Sequence, residues 1–361
     1  MSVARALAPR RVRVSLERWV GLAPFLVALV GSTSSAQEPA DPRPQDAVAA
    51  TLAAFDRYHV VALGMSHWQQ SEADFSLALV RDPQFPAKVN DIVVECGNPL
   101  YQDVLDRYAA GKSVPLERLQ LSWRNTTQPG RCDPRQHKEL IDAIREVNRH
   151  LSPSRRLRVL AGDSPIDWDR IRSADDVKPF LDRRDIDFAT VVEREVLAKH
   201  RTALLLIGAA HVLRHPVSWR DDPRPPAATV TMLLERDYPG STFIIVPHDG
   251  FGSRLDEFEA RFARWPKPSL SALRATWLGS VAGGTVFGGN IRRVGSDPGK
   301  IEDPYPGLRL EDLADGFLYL GPLSALTRVE WPHISEAPYA RELDRRRRLM
   351  GEMPVPVAVP R

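Results

Sequence analysis

Two stretches decide the fold: VVALGMSH at residues 60–67 and ALLLIGAAH at residues 203–211. Each is a short unbroken apolar run that ends on Gly-x-x-His. A strand with one wet face alternates polar and apolar residues, whereas a strand covered on both faces is apolar throughout. Both runs therefore read as strands inside a parallel sheet. The glycine lets the chain leave the strand end in a tight turn, and the histidine then points back over the sheet edge.

Working outward, DIVVEC (91–96), LRVLA (157–161) and TFIIV (242–246) read the same way, with FLYL (317–320) as a last strand. The intervening stretches carry apolar residues at three- and four-residue spacing, the mark of amphipathic helices. These are Glu72–Val80, Leu100–Ala110, Gln136–His150, Phe188–His200 and Ala227–Asp237. Strands alternating with helices predict an α/β fold: a mainly parallel sheet with helices on both faces, in three layers, and an active crevice at the strand carboxyl ends. Residues 111–135 read as irregular. Beyond Phe251, Glu257–Trp265 and Leu270–Leu278 read as helices, Ala282–Asn290 as a glycine-rich loop and Tyr339–Met350 as a charged helix. The chain thus divides into a signal segment (1–36), a Pro-rich linker (37–50), an α/β catalytic-like domain (51–250), a helical or irregular extension packing on that domain (251–350) and a flexible tail (351–361).

The first segment is an export label in composition. Arg5, Arg10, Arg11, Arg13 and Arg18 precede the apolar run Trp19–Gly31, and Ser34-Ser35-Ala36 offers a small-residue cleavage site. The run falls short of the about 20 residues that cross a bilayer. The mature protein is therefore expected to be secreted or periplasmic with no stable membrane span; an uncleaved anchor is the alternative. The whole chain has 361 residues and a formal charge of +3. Its first 36 residues alone hold five Arg and one Glu, which leaves the remainder near −1. That balance argues against a nucleic-acid partner and leaves a small molecule or a peptide as substrate. A hydrophobic content of 43% excludes wholesale disorder. Two cysteines cannot make a four-Cys zinc ribbon. In an oxidising compartment Cys96 and Cys132 would pair, closing a loop of about 37 residues and contributing about 3–4 kcal/mol in the chain-entropy picture. Two separate buried thiols are the alternative.

Four consecutive strands deliver ionisable groups at one edge: His67, Glu95, Asp163 and His211. Two imidazoles and two carboxylates in one crevice suit general acid–base work or a metal ion. Glu95 ends the run Ile92-Val93-Val94, where a carboxylate is costly without a partner. Asp163 is equally at home capping the turn at Ser164-Pro165. Trp123, Arg124 and Arg131 either line the crevice or pack within a loop. His137 reads as a solvated position on a surface helix, and His215-Pro216 as a turn. No Gly-x-Ser-x-Gly elbow, His-Glu-x-x-His helix or Cys-x-x-Cys pair occurs in the chain, which argues against a serine esterase and a thermolysin-like peptidase.

The segments VVALGMSH, DIVVEC, RVLAGD and LLLIGAAH, with LERDYPGSTFIIVPHDG after them, resemble the erythromycin esterase-like, ChaN haem-uptake-like and Tiki/TraB-like group over roughly residues 55–250. The esterase-like branch implies a hydrolase of ester or amide bonds that uses His67 or His211 as general base toward water. Glu95 and Asp163 would then orient or tune the base, and Glu72 lies near where that branch carries a further acidic residue. The Tiki-like branch implies a metal-dependent peptidase with His67, Glu95 and His211 as ligands of Mn, Fe or Zn. The ChaN-like branch implies a haem or metal-binding uptake protein without turnover. The chain departs from the esterase pattern in carrying Met65-Ser66 where an acidic residue usually precedes the histidine. The exported protein is expected to begin at Gln37; N-terminal sequencing that starts at Met1 would show the segment is kept.

Overall fold

Apolar runs become strands where both faces find cover, and the sheet follows from that condition. A computed structural model describes residues 39–66, 69–132, 135–216, 226–248, 256–286, 305–329 and 336–352. They belong to one unit that starts at Pro39. Eight strands form a single sheet: β1 (Gln45–Asp46), β2 (Val60–Met65), β3 (Asp91–Val94), β4 (Arg158–Ala161), β5 (Ala203–Gly208), β6 (Thr242–Pro247), β7 (Ser269–Ala272) and β8 (Gly316–Tyr319). Their order across the sheet is β1-β7-β8-β6-β2-β5-β3-β4. The pairings from β8 through β4 are parallel, and β7 and β1 close one edge in antiparallel fashion.

The pleat explains why the strands have no polar alternation. In β2, Val61 and Leu63 enter one core while Val60 and Ala62 enter the other. In β5, Leu204 and Leu206 face the first core, and Ala203, Leu205 and Ile207 the second. The helices Gln70–Arg81, Gln102–Ala109 and Arg135–Arg149 cover the first face through residues such as Phe75, Leu105 and Ile144. Arg184–Glu195 and Val230–Asp237 cover the second through Phe188, Val192 and Leu234. Each fully buried side chain of this size contributes about 1.5–3 kcal/mol of transfer free energy. The architecture is the three-layer α/β fold implied by the apolar runs.

Three elements differ from the reading of the sequence. Leu270–Leu278 has helical spacing, yet Ser269–Ala272 is strand β7. The free edge of β8 offers it backbone partners, and that pairing overrides local preference. Residues 111–135 are not wholly irregular: Leu116–Arg124 is a helix that buries Leu119 and Trp123. The Pro-rich linker is partly structured, since Ala40 bridges to Thr276, β1 pairs with β7, and Asp46 caps the helix Ala47–Ala54. Because β7 and β8 share the sheet with β2–β6, the sheet runs through the boundary drawn at residue 250. Within the stretch read as a glycine-rich loop, Gly283–Val286 is a short helix; its residues 287–290, the signal segment and the tail from residue 353 lie outside the described residues. Among the described residues, no helix is long and apolar enough to cross a membrane.

Cys96 and Cys132 are bonded to each other, which ties the end of β3 to the turn ahead of Arg135–Arg149. At the end of β2, a Cβ on Gly64 would stand 2.9 Å from Val212 Cγ2 and 3.0 Å from Ala209 Cα. Glycine is what lets the two Gly-x-x-His turns approach this closely. Gly64→Ala is expected to cost about 1–3 kcal/mol by overpacking, read as a lower urea midpoint; an unchanged midpoint would refute the tight fit.

Candidate active site

Parallel strands place their carboxyl ends on one edge, and ligands of such sheets bind beyond that edge. Here the edge collects Ser66 after β2, Glu95 after β3, Asp163 after β4 and His211 after β5. His67 lies outside the described residues. Its neighbour Ser66 donates its backbone N–H to Glu72 Oε2 at 2.6 Å, so the buried Glu72 holds the chain just past β2.

Glu95 follows β3 in the same extended path, its N–H reaching the carbonyl of Leu206 at 2.9 Å. Its side chain accepts the N–H of Gly208 at 2.9 Å and a guanidinium hydrogen bond from Arg184. Asp163 is fully buried and accepts from Thr127 Oγ1 at 2.6 Å and from the Thr127 N–H. The guanidinium Nε of Arg184 stands 3.3 Å from Asp163 Oδ1. His211 ends a short 3-10 turn and is half-exposed. Its Nδ1 is 2.6 Å from Asp185 Oδ1, and its Nε2 is 3.4 Å from Arg184 Nη1. The structure therefore brings Glu95, Asp163 and His211 together around a residue pair, Arg184-Asp185, that the strand-end reading missed.

Topology held the missing signal. The helix Arg184–Glu195 leads back to β5, so its first residues start from the carboxyl edge of the sheet. Burial alone would lower the pKa of Arg184, but Glu95, Asp163 and Asp185 together hold it above the usual arginine range. Burial also pushes the Asp163 carboxyl up, against the opposing pull of Arg184 and Thr127.

A cleft open to solvent meets this cluster at Glu95. Its floor is apolar, with Met65, Val94, Leu206 and Ile207 from the strand ends. Glu95 lines it and so belongs to both the cleft and the ionic cluster. Arg131 and His137 face it as well. His137, read as a solvated surface position, is thus half-buried at the cleft wall, because the first turn of Arg135–Arg149 passes over it. Trp123 is buried, and Arg124 instead pairs with Glu336 and stacks on Tyr339.

No protein family matches the chain, and no curated protein matches it in sequence. Solved structures do match its fold. A protein from Bacillus cereus shares 11% identity at a TM-score of 0.52, covering 81% of this chain and 97% of its own. A succinoglycan biosynthesis protein shares 10% identity at 0.52, over 81% of this chain and 96% of its own. A mutant erythromycin esterase in its open conformation shares 14% identity at 0.47, over 78% and 93%. The resemblance is one of fold.

Removing Arg184 leaves Glu95 and Asp163 buried without their guanidinium. Arg184→Ala is expected to cost about 3–5 kcal/mol at neutral pH. Without the cation, burial raises the folded-state pKa of Asp163 still further above the unfolded value. Its protonated form then supports the fold at low pH and loses that support as pH rises. The deficit against wild type should therefore shrink between pH 7 and pH 4 in urea titrations; a deficit that is constant with pH would contradict the ionic origin.

Proposed function

We propose that the protein is a secreted or periplasmic hydrolase of ester or amide bonds in a small molecule or peptide, with a histidine activating water and no metal required. One observation carries this reading. An imidazole oriented by a carboxylate, His211 with Asp185, stands beside the guanidinium of Arg184 at the carboxyl edge of a parallel sheet, and Arg184 in turn holds Glu95, the member of this cluster that lines the apolar cleft. Asp185 holds the Nδ1 hydrogen, and Nε2, which faces Arg184 Nη1 at 3.4 Å, takes a proton from a water that displaces that contact as the water oxygen attacks the carbonyl carbon. The imidazolium formed is stabilised by Asp185. Arg184, fixed by Glu95 and Asp163, faces the same nitrogen and is placed to stabilise the negative charge that grows on the carbonyl oxygen. Collapse of that intermediate breaks the acyl bond, and the leaving oxygen or nitrogen takes the proton. His67, one residue past the cleft-lining Ser66, is assigned as the second imidazole of this exchange.

A divalent ion shared by Glu95 and His211 does not fit these residues. The Arg184 guanidinium contacts both side chains, so a second cation between them would meet a fixed positive charge. A screen of ester, lactone and peptide substrates, with and without chelator, tests the reading. Asp185→Asn is expected to lower kcat by about 10²–10⁴-fold with the melting temperature nearly unchanged. Full turnover in both Asp185→Asn and His211→Ala would remove the proposed base. Activity lost to chelator and restored by Mn²⁺ would establish a metal route instead.

A further inference from the structure

The disulfide shares the cleft wall with a residue that the hydrolytic reading leaves unused. Cys96 Sγ, Cys132 Sγ and a ring nitrogen of His137 all lie within 4.8 Å of one another. Cys96 and His137 line the cleft, so solvent ions reach this cluster without passing through the core. Three separate elements supply it: the residue after Glu95, the turn ahead of Arg135–Arg149, and the first turn of that helix. The surroundings are organised around the sulfur. Thr126 Oγ1 is 3.6 Å from Cys132 Sγ, and the Thr126 carbonyl is itself held by Trp168 Nε1 at 3.0 Å. Hydroxyl donors of this kind orient and tune thiolate ligands.

We propose that reduction of the Cys96–Cys132 bond converts this cluster into a Zn²⁺ site with Cys96, Cys132 and His137 as ligands and a fourth position open to the cleft. A dithiol supplies the two electrons and two protons: the S–S bond breaks, two thiols form, and the dithiol leaves as its own disulfide. Zn²⁺ then displaces both thiol protons, so binding weakens as pH falls. Zinc bonds of about 2.3 Å to sulfur and about 2.0–2.1 Å to nitrogen set tetrahedral ligand atoms roughly 3.5–3.8 Å apart. The cysteine Cα atoms are 5.4 Å apart, close enough for the two freed side chains to share one ion at that spacing. Two thiolates and one imidazole form a set that favours zinc over the hard cations. None of Glu95, Asp163, Asp185 or His211 takes part, so this site stands or falls apart from the hydrolytic reading.

The test uses the full chain, oxidised and phosphine-reduced, titrated with Co²⁺ as the spectroscopic substitute for Zn²⁺. The reduced chain is expected to show thiolate-to-cobalt charge transfer and tetrahedral visible bands that saturate at one equivalent and vanish on adding Zn²⁺. The oxidised chain should show neither. His137→Ala, a half-buried helix position, should keep its circular dichroism and bind roughly 10–100-fold more weakly when reduced. Four outcomes overturn the proposal: no bands after reduction, equal bands in the oxidised chain, unchanged affinity in His137→Ala, or loss of native circular dichroism on reduction.

Discussion

A guanidinium held among carboxylates at the carboxyl edge of the sheet sets the terms for everything built there. The side chains of Arg184, Glu95 and Asp163 retain only 15%, 8% and 0% of their exposure. Taking such charges from water costs several kcal/mol each unless the partners are placed well. The placement requires the ends of β3 and β4 and the start of Arg184–Glu195 to keep one mutual position. Glu95 also takes the N–H of Gly208, which draws the end of β5 into the same arrangement. The groups that would act on a substrate are thereby fixed by the interaction that keeps the edge from swelling with water. Preorganisation and neutralisation of charge are one requirement here.

A strand-end imidazole is not sufficient for chemistry, and His248 shows why. It follows β6 on the same edge, yet it is buried among Phe262, Phe317 and Tyr319 and pairs with Glu259. Burial lowers its pKa, with Glu259 opposing that shift. His211 differs in reach rather than in type: it is half-exposed, and its partners hold it in one orientation. The contrast separates a packing histidine from the one proposed to activate water, by access and by a partner that orients it.

The long apolar runs made most of the sheet legible, because only strands covered on both faces can afford to be uniformly apolar. Glu95, Asp163 and His211 were legible for a related reason, since a polar residue ending such a run has one place to go. Arg184 and Asp185 were hidden. They lie beyond β4 by a helix and a turn, and nothing local in Arg183-Arg184-Asp185 distinguishes a surface helix start from a buried one. β7 was hidden too, since its Ser-Leu-Ser-Ala register gains meaning only from the edge of β8. His137 was misread because a helix position looks solvated until the element it overhangs is known. In each case the deciding partner is remote in sequence, and the local pattern carries no trace of it.

The sheet edge has a temporal consequence. β1 pairs with β7, Gln45 opposite Leu270, and β7 in turn rests on β8, which begins at Gly316. The earliest of the eight strands to be synthesised thus has no partner until Ser269 and Leu270 have followed it. Contacts so distant in sequence slow folding. The outer edge of the sheet is thus assembled last, from the two ends of the described chain.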